Sequence, residues 1–271
     1  MDFIVVRGIR LETAWYGPSP DDAPTLVFLH EGVGCVGMWH HFPAKVAEAT
    51  GLGVLVYSRQ GYGRSDTCDL PFPLTFMHHE GLDVLPELIT AAGVCEHILI
   101  GHSDGASISI IYAGGTQAEN LRGVIVEAPH VFCEDKTVRH IREAKTHYEL
   151  GDLRNGLRKY HGDNVDCAFY GWNSAWLDPD FEKWNIEEYL SGIKVPVLTI
   201  QGADDEYGTL EHTRRIEAKA GAGVRTLVLP NCGHSPHKDR SEASLRAIVD
   251  FVSKTLKGSG SQGCESGTGD I

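Results

Sequence analysis

Short apolar runs with little polar alternation recur along the chain, at 26–29, 53–57, 96–100, 121–127, 195–201 and 226–230. A strand exposed on one face alternates polar and apolar residues, so uninterrupted runs of this length predict strands covered on both faces. Between them lie stretches of helical spacing at 39–49, 76–92 and 103–113. Two β-rich segments, 3–7 and 9–16, open the chain around Gly8 and turn at Gly17-Pro18-Ser19-Pro20, which predicts an antiparallel edge hairpin. Strands alternating with helices predict an α/β fold: a mainly parallel twisted sheet with helices on both faces.

One interval breaks this rhythm. Between the runs at 121–127 and 195–201 lie roughly 65 residues with no strand pattern, longer than a crossover connection needs. Helical spacing at 137–150 and 153–160 is followed by an aromatic stretch containing Phe169, Tyr170, Trp172, Trp176, Phe181, Trp184 and Tyr189. Aromatics serve packing as well as binding, so each is weighed both as pocket wall and as internal glue.

The densest chemical signal is Ile98-Leu99-Ile100-Gly101-His102-Ser103-Asp104-Gly105-Ala106, a buried strand that ends in Gly-x-Ser-x-Gly and opens a helix. A strand turning sharply into a helix leaves no room for side chains two positions either side of the serine. The bland alternative for Ser103, a helix N-cap, leaves those glycines unexplained. A serine hydroxyl needs a histidine base, itself oriented by a carboxylate. Asp205 follows the run at 195–201, and His234 follows the run at 226–230. In a parallel sheet, groups just beyond the carboxyl ends of strands converge. Asp204 and Glu127 compete with Asp205 as the acid, and His237 competes with His234 as the base.

Ser103, Asp205 and His234 in this order, with these flanks, resemble the α/β-hydrolase superfamily. Two further segments carry the resemblance. His30-Glu31-Gly32-Val33-Gly34, after a strand, is similar to the family's oxyanion loop, with Glu31 where glycine is usual. Val54 to Asp66 is similar to its Asp-x-Arg-Gly-x-Gly-x-Ser turn, with Ser58 in place of the aspartate and Gln60 inserted. The resemblance implies backbone N–H groups of Gly32 and Asp104 as the oxyanion hole, and it makes 133–194 a helical cap over a core of 1–132 and 195–257. Glu31, His102, Trp172, Trp176 and His237 are the expected pocket residues. The reaction implied is cofactor-free hydrolysis of a carboxylic ester or lactone. Diketone carbon–carbon cleavage and a non-turnover ligand receptor are the alternatives.

Composition narrows the partners. A net charge of −13 and no basic stripe argue against nucleic acid. No apolar run is long enough for a membrane span. The start, Met1 to Arg7, has no basic leader before a long apolar core. Histidine is abundant at 14 residues, yet His30-Glu31-Gly32-Val33-Gly34 has glycine where a zinc helix needs its second ligand, and His40-His41 and His78-His79 each diverge on a helix; no metal is expected. Seven cysteines, at 35, 68, 95, 133, 167, 232 and 264, show no paired spacing, which favours reduced thiols and a cytoplasmic setting. The Gly/Ser-rich stretch 258–271 reads as a flexible tail. A small-molecule substrate is the expected partner, with a homodimer left open.

Overall fold

The computed structural model describes residues 2–116, 118–221 and 223–258; the expected tail falls almost wholly outside them. An eight-stranded sheet forms the centre: β1 (Asp2–Val6), β2 (Ile9–Tyr16), β3 (Thr25–Leu29), β4 (Gly53–Tyr57), β5 (His97–His102), β6 (Leu121–Glu127), β7 (Val197–Gly202) and β8 (Val224–Leu229), in spatial order β1-β2-β4-β3-β5-β6-β7-β8. The β1–β2 and β2–β4 pairs are antiparallel and all others parallel.

The apolar runs divide by parity, because successive side chains leave a strand on opposite faces. Leu26, Phe28, Val54, Val56, Ile98, Ile100, Ile125, Leu198 and Ile200 face one side, against the helices Phe42–Thr50 and Ser241–Gly258. Val27, Leu29, Leu55, Tyr57, Leu99, Val124, Val126 and Val197 face the other, against the helical stretch 76–91 and the helices Asp104–Gly115 and Glu211–Lys219. Burial on both faces accounts for the missing polar alternation.

Several expected boundaries move. The helix expected at 39–49 is a 3-10 turn, Val36–Trp39, followed by the helix Phe42–Thr50; His40 takes a positive φ of 51° and interrupts the spiral. Inside 76–91 the turn Glu80–Val84 widens to a π-helix. Between β6 and β7 the helices Asp135–Leu150, Leu153–His161 and Val165–Trp176 are followed by 3-10 turns, Pro179–Lys183 and Glu187–Gly192.

The expectation of reduced thiols is corrected. Cys68, in the loop after β4, is joined by a disulfide to Cys167 on the helix Val165–Trp176. The two lie far apart in sequence, so spacing carried no sign of the pair; Cys35, Cys133 and Cys232 are free. No described helix is long and apolar enough to cross a membrane.

Strand order dictates where a site can form. The chain leaves β3 across one face to reach β4, then returns across the other face to β5 on the far side of β3. Crossovers that diverge in this way open a crevice at the carboxyl ends of β3 and β5. The loop after β3 begins at His30, and Ser103 follows β5 directly.

Candidate active site

At the end of β5 the backbone of Ser103 is held at φ 54° and ψ −117°, a region that side-chain-bearing residues seldom occupy. Its N–H donates to the Glu127 carbonyl oxygen at 2.9 Å, so the end of β6 braces the turn. Both glycines are sterically required. A Cβ on Gly101 would overlap the Gly105 carbonyl, and one on Gly105 would overlap the Leu29 carbonyl at the end of β3.

The Ser103 hydroxyl donates to His234 Nε2 across 3.0 Å. On the other side of the ring, Nδ1 lies 2.9 Å and 3.0 Å from the two carboxylate oxygens of Asp205. Asp205 is buried, and its oxygens also accept from the Tyr207 and Gly208 N–H groups (2.8 and 3.1 Å) and from the Gln201 amide (2.6 Å). Burial alone would raise this carboxyl; the imidazole and the surrounding donors outweigh it and hold the pKa below the ordinary value. The loop carrying His234 is fixed by its own N–H on Glu206 and by the Gly233 N–H on Asp239.

The structure separates the competitors. Asp204 is exposed. Glu127 accepts from His237 Nδ1 at 2.7 Å, and both side chains are sealed off from solvent. His237 sits against Trp39 and Phe42 and is absent from the cavity wall, a correction to its expected place there. The short helix Pro236–Asp239 turns its ring inward.

Ser103 and His234 open on a cavity of about 170 Å³, whose wall includes Gly32, Asp104, Glu31, His102, Trp172 and Trp176. A Cβ on Gly32 would overlap the Trp172 indole, so glycine there admits both the loop and the indole. Phe169 and Trp184 take the packing role: Phe169 stacks on Tyr148 at 3.6 Å, and Trp184 stacks on Phe181 at 5.3 Å. The Trp176 indole N–H donates to Asp104 Oδ1 at 3.2 Å.

The loop after β3 is held by a buried arginine. Arg59 donates to the carbonyl oxygens of His30 (2.7 Å) and Glu31 (3.0 Å), and its backbone N–H donates to His30 Nε2 (3.1 Å). Where the family turn has aspartate, the Ser58 hydroxyl donates to Glu12 Oε2 at 2.7 Å, so β2 supplies the missing carboxylate. Glu31 approaches His102 Nδ1 at 3.6 Å and Lys238 at 3.9 Å. Burial would raise the Glu31 carboxyl, yet the His102 ring and the Lys238 charge hold it well below its usual range.

Several wall residues escaped the sequence reading, His130 among them. His130 follows Ala128-Pro129 at the end of β6, so the strand-end rule that located Ser103, Asp205 and His234 was able to find it. It is buried, its ring centre lies 5.7 Å from that of His234, and burial together with neighbouring His212 and His234 lowers its pKa well below normal. Tyr207 and Thr137 were also missed as wall residues. No described cluster of three or more His, Cys, Asp or Glu side chains is arranged to hold a metal ion.

Comparison with known proteins places this architecture. The enol-lactonase of Burkholderia xenovorans LB400 superposes with a TM-score of 0.71 at 18% identity, covering 93% of this chain and 100% of that one. A carboxylesterase structure from the thaumarchaeon Nitrososphaera gargenis superposes with a TM-score of 0.77 at 15% identity, covering 95% and 100%. The proline iminopeptidase of Mycobacterium smegmatis gives a TM-score of 0.69 at 16% identity, covering 96% and 99%. At such identities the likeness is one of fold. The sequence model of the alpha/beta hydrolase family matches residues 26–247, from β3 into the last helix, and the chain therefore belongs to that family.

Proposed function

We propose that the protein is a cofactor-free serine hydrolase acting on a small carboxylic ester or lactone. The observation that carries the reading is the continuous Ser103–His234–Asp205 relay, with its serine end open to a cavity. The enol-lactonase and carboxylesterase names among the structural relatives support the same bond class.

His234 Nε2 takes the Ser103 proton as Oγ adds to the carbonyl carbon. Asp205 accepts from Nδ1–H, which fixes the tautomer that leaves Nε2 free and then stabilises the imidazolium. The Asp104 N–H lies in the first turn of a helix, where backbone donors lack intrahelical partners, and with the Gly32 N–H it receives the oxyanion. His234 returns its proton to the leaving oxygen. Water, deprotonated by the same nitrogen, then releases the acid and restores Ser103. Residues 133–194 act as a cap, with Thr137, Ile141, Trp172 and Trp176 as its contribution to the cavity wall. A cavity of about 170 Å³ is below the roughly 300–1,000 Å³ of sites for drug-sized ligands and favours a short acyl group.

The test combines a fluorophosphonate probe, mass spectrometry and a panel of p-nitrophenyl esters. Labelling at Ser103 with multiple turnover is expected. Ser103→Ala and His234→Ala should each lose about 10⁴-fold or more in kcat, without the losses adding in the double variant. Tens of per cent activity in a folded Ser103→Ala protein overturns the mechanism, and single-turnover labelling points to a receptor.

A further inference from the structure

His161 closes the helix Leu153–His161, in the segment between β6 and β7, and its buried ring bridges two loops of the core. Nδ1 accepts the Gly63 N–H at 2.9 Å, in the loop after β4, and Nε2 lies 3.0 Å from the Val33 carbonyl oxygen, in the loop after β3. These two backbone groups dictate the tautomer. An amide N–H only donates and a carbonyl only accepts, so Nδ1 is bare and Nε2 carries the proton that Val33 receives. Burial lowers the pKa of the ring, in keeping with that neutral form.

The loop after β3 needs such an anchor. Gly32 and Gly34 flank Val33, and glycine leaves the backbone free to take conformations closed to other residues. Arg59 holds the near end, with guanidinium N–H groups on the His30 and Glu31 carbonyl oxygens. A peptide unit is planar, so fixing the Glu31 carbonyl fixes the direction of the Gly32 N–H in the same plane. Beyond Gly32, His161 is the donor to the Val33 carbonyl among the described residues. Gly32 is thus confined from both sides, by an arginine of the core and a histidine of the segment read above as the cap. Gly32 and Val33 line the cavity and His161 does not, so the imidazole can act on the reaction only through the loop. We infer that His161 is a positioning residue for the oxyanion hole, a contribution of the cap that holds the Gly32 peptide in place through the Val33 carbonyl.

The inference rests on the hydrolase reading, in which the Gly32 N–H receives the oxyanion. His161→Asn keeps an acceptor where Nδ1 stands and falls short of Val33, whereas His161→Gln extends an amide N–H toward that carbonyl. With p-nitrophenyl acetate, kcat of His161→Asn should fall about 10- to 100-fold while KM stays within about threefold, because an oxyanion contact strengthens in the transition state. His161→Gln should recover kcat to within about fivefold of wild type. Asn164→Ala is the control. Asn164 Nδ2 donates to the Gly63 and Ser65 carbonyl oxygens at 3.3 and 2.7 Å, ties to the loop after β4 alone. Its loss should leave kcat within about threefold of wild type. An unchanged kcat in His161→Asn, a defect confined to KM, or an equal defect in Asn164→Ala overturns the inference and leaves the hydrolase intact. Equal losses in His161→Asn and His161→Gln do the same. Wild type that neither turns over the ester nor takes the fluorophosphonate label overturns the hydrolase and this inference together. Where His161→Asn fails to fold, nitrogen NMR of the wild-type imidazole decides: a bare Nδ1 with a protonated Nε2 is expected, and a proton on Nδ1 overturns the inference.

Discussion

Two histidine–carboxylate pairs rise from the same turn after β8, three positions apart, and they behave differently. His234 lies 2.9 Å from Asp205, with side-chain exposures of 12% and 1%. His237 lies 2.7 Å from Glu127, with 2% and 0%. The bond lengths and the pairing of imidazole with carboxylate do not separate them; the second nitrogen does. His234 Nε2 meets the Ser103 hydroxyl, whereas the His237 ring is enclosed by Trp39, Phe42 and His102, with centres 4.5, 5.6 and 4.9 Å away. Burial pushes the His237 pKa down, although Glu127 opposes it. An acid beside an imidazole is common structural chemistry. Access from the far nitrogen to the Ser103 hydroxyl and a cavity distinguishes the candidate site from a core.

Breaking each pair by a nearly isosteric change should expose the difference. Asp205→Asn removes the charge that sets the His234 tautomer, and a loss of roughly 10³- to 10⁴-fold in kcat is expected. Glu127→Gln should change kcat by less than about tenfold while lowering unfolding free energy by about 1–3 kcal/mol, because a buried partner is weakened. Kinetics with denaturant unfolding of both variants decide the matter, and a severe kinetic defect at Glu127 would move the acid to β6.

The walls of the two pairs offer a second contrast. Trp172→Ala enlarges the cavity beside Ser103 and should reorder acyl-chain preference by roughly ten- to hundredfold. Trp39→Ala enlarges the closed site and should cost about 3–5 kcal/mol of stability with the preference order kept. Ester panels on both proteins test this, and an unchanged profile for Trp172→Ala returns that indole to packing.

The smallest effect is in acid. Because the folded state holds the Asp205 carboxyl low, its stabilisation is present above the ordinary carboxylate pKa of about 4 and is lost as pH falls through the lower folded value. Asp205→Asn should therefore flatten the fall of stability below about pH 4, read from urea midpoints at several pH values. A slope identical to wild type would refute the linkage.

What was legible beforehand follows the same division. Strands buried on both faces announce themselves, so β3, β4 and β5 were placed within a residue or two, and three strand ends located Ser103, Asp205 and His234. The chain's local exceptions were not legible. His40 breaks a helix through its backbone angle, and the helix Pro236–Asp239 rotates His237 away from the cavity. Contacts between distant segments left no local trace either: Glu12 standing in for an aspartate beside Ser58, and Cys68 meeting Cys167.

The backbone angles of Ser103 also bear on how this protein can change over generations. A side-chain-bearing residue in that region costs on the order of 1–3 kcal/mol, and glycine is the residue that relieves such strain. Selection for durability alone would thus replace the serine, and only selection for its hydroxyl retains it. In the proposed hydrolase, a lineage released from the reaction would gain robustness by replacing Ser103 with glycine, so a change at that single codon is a genetic sign that a descendant has turned the fold to another use.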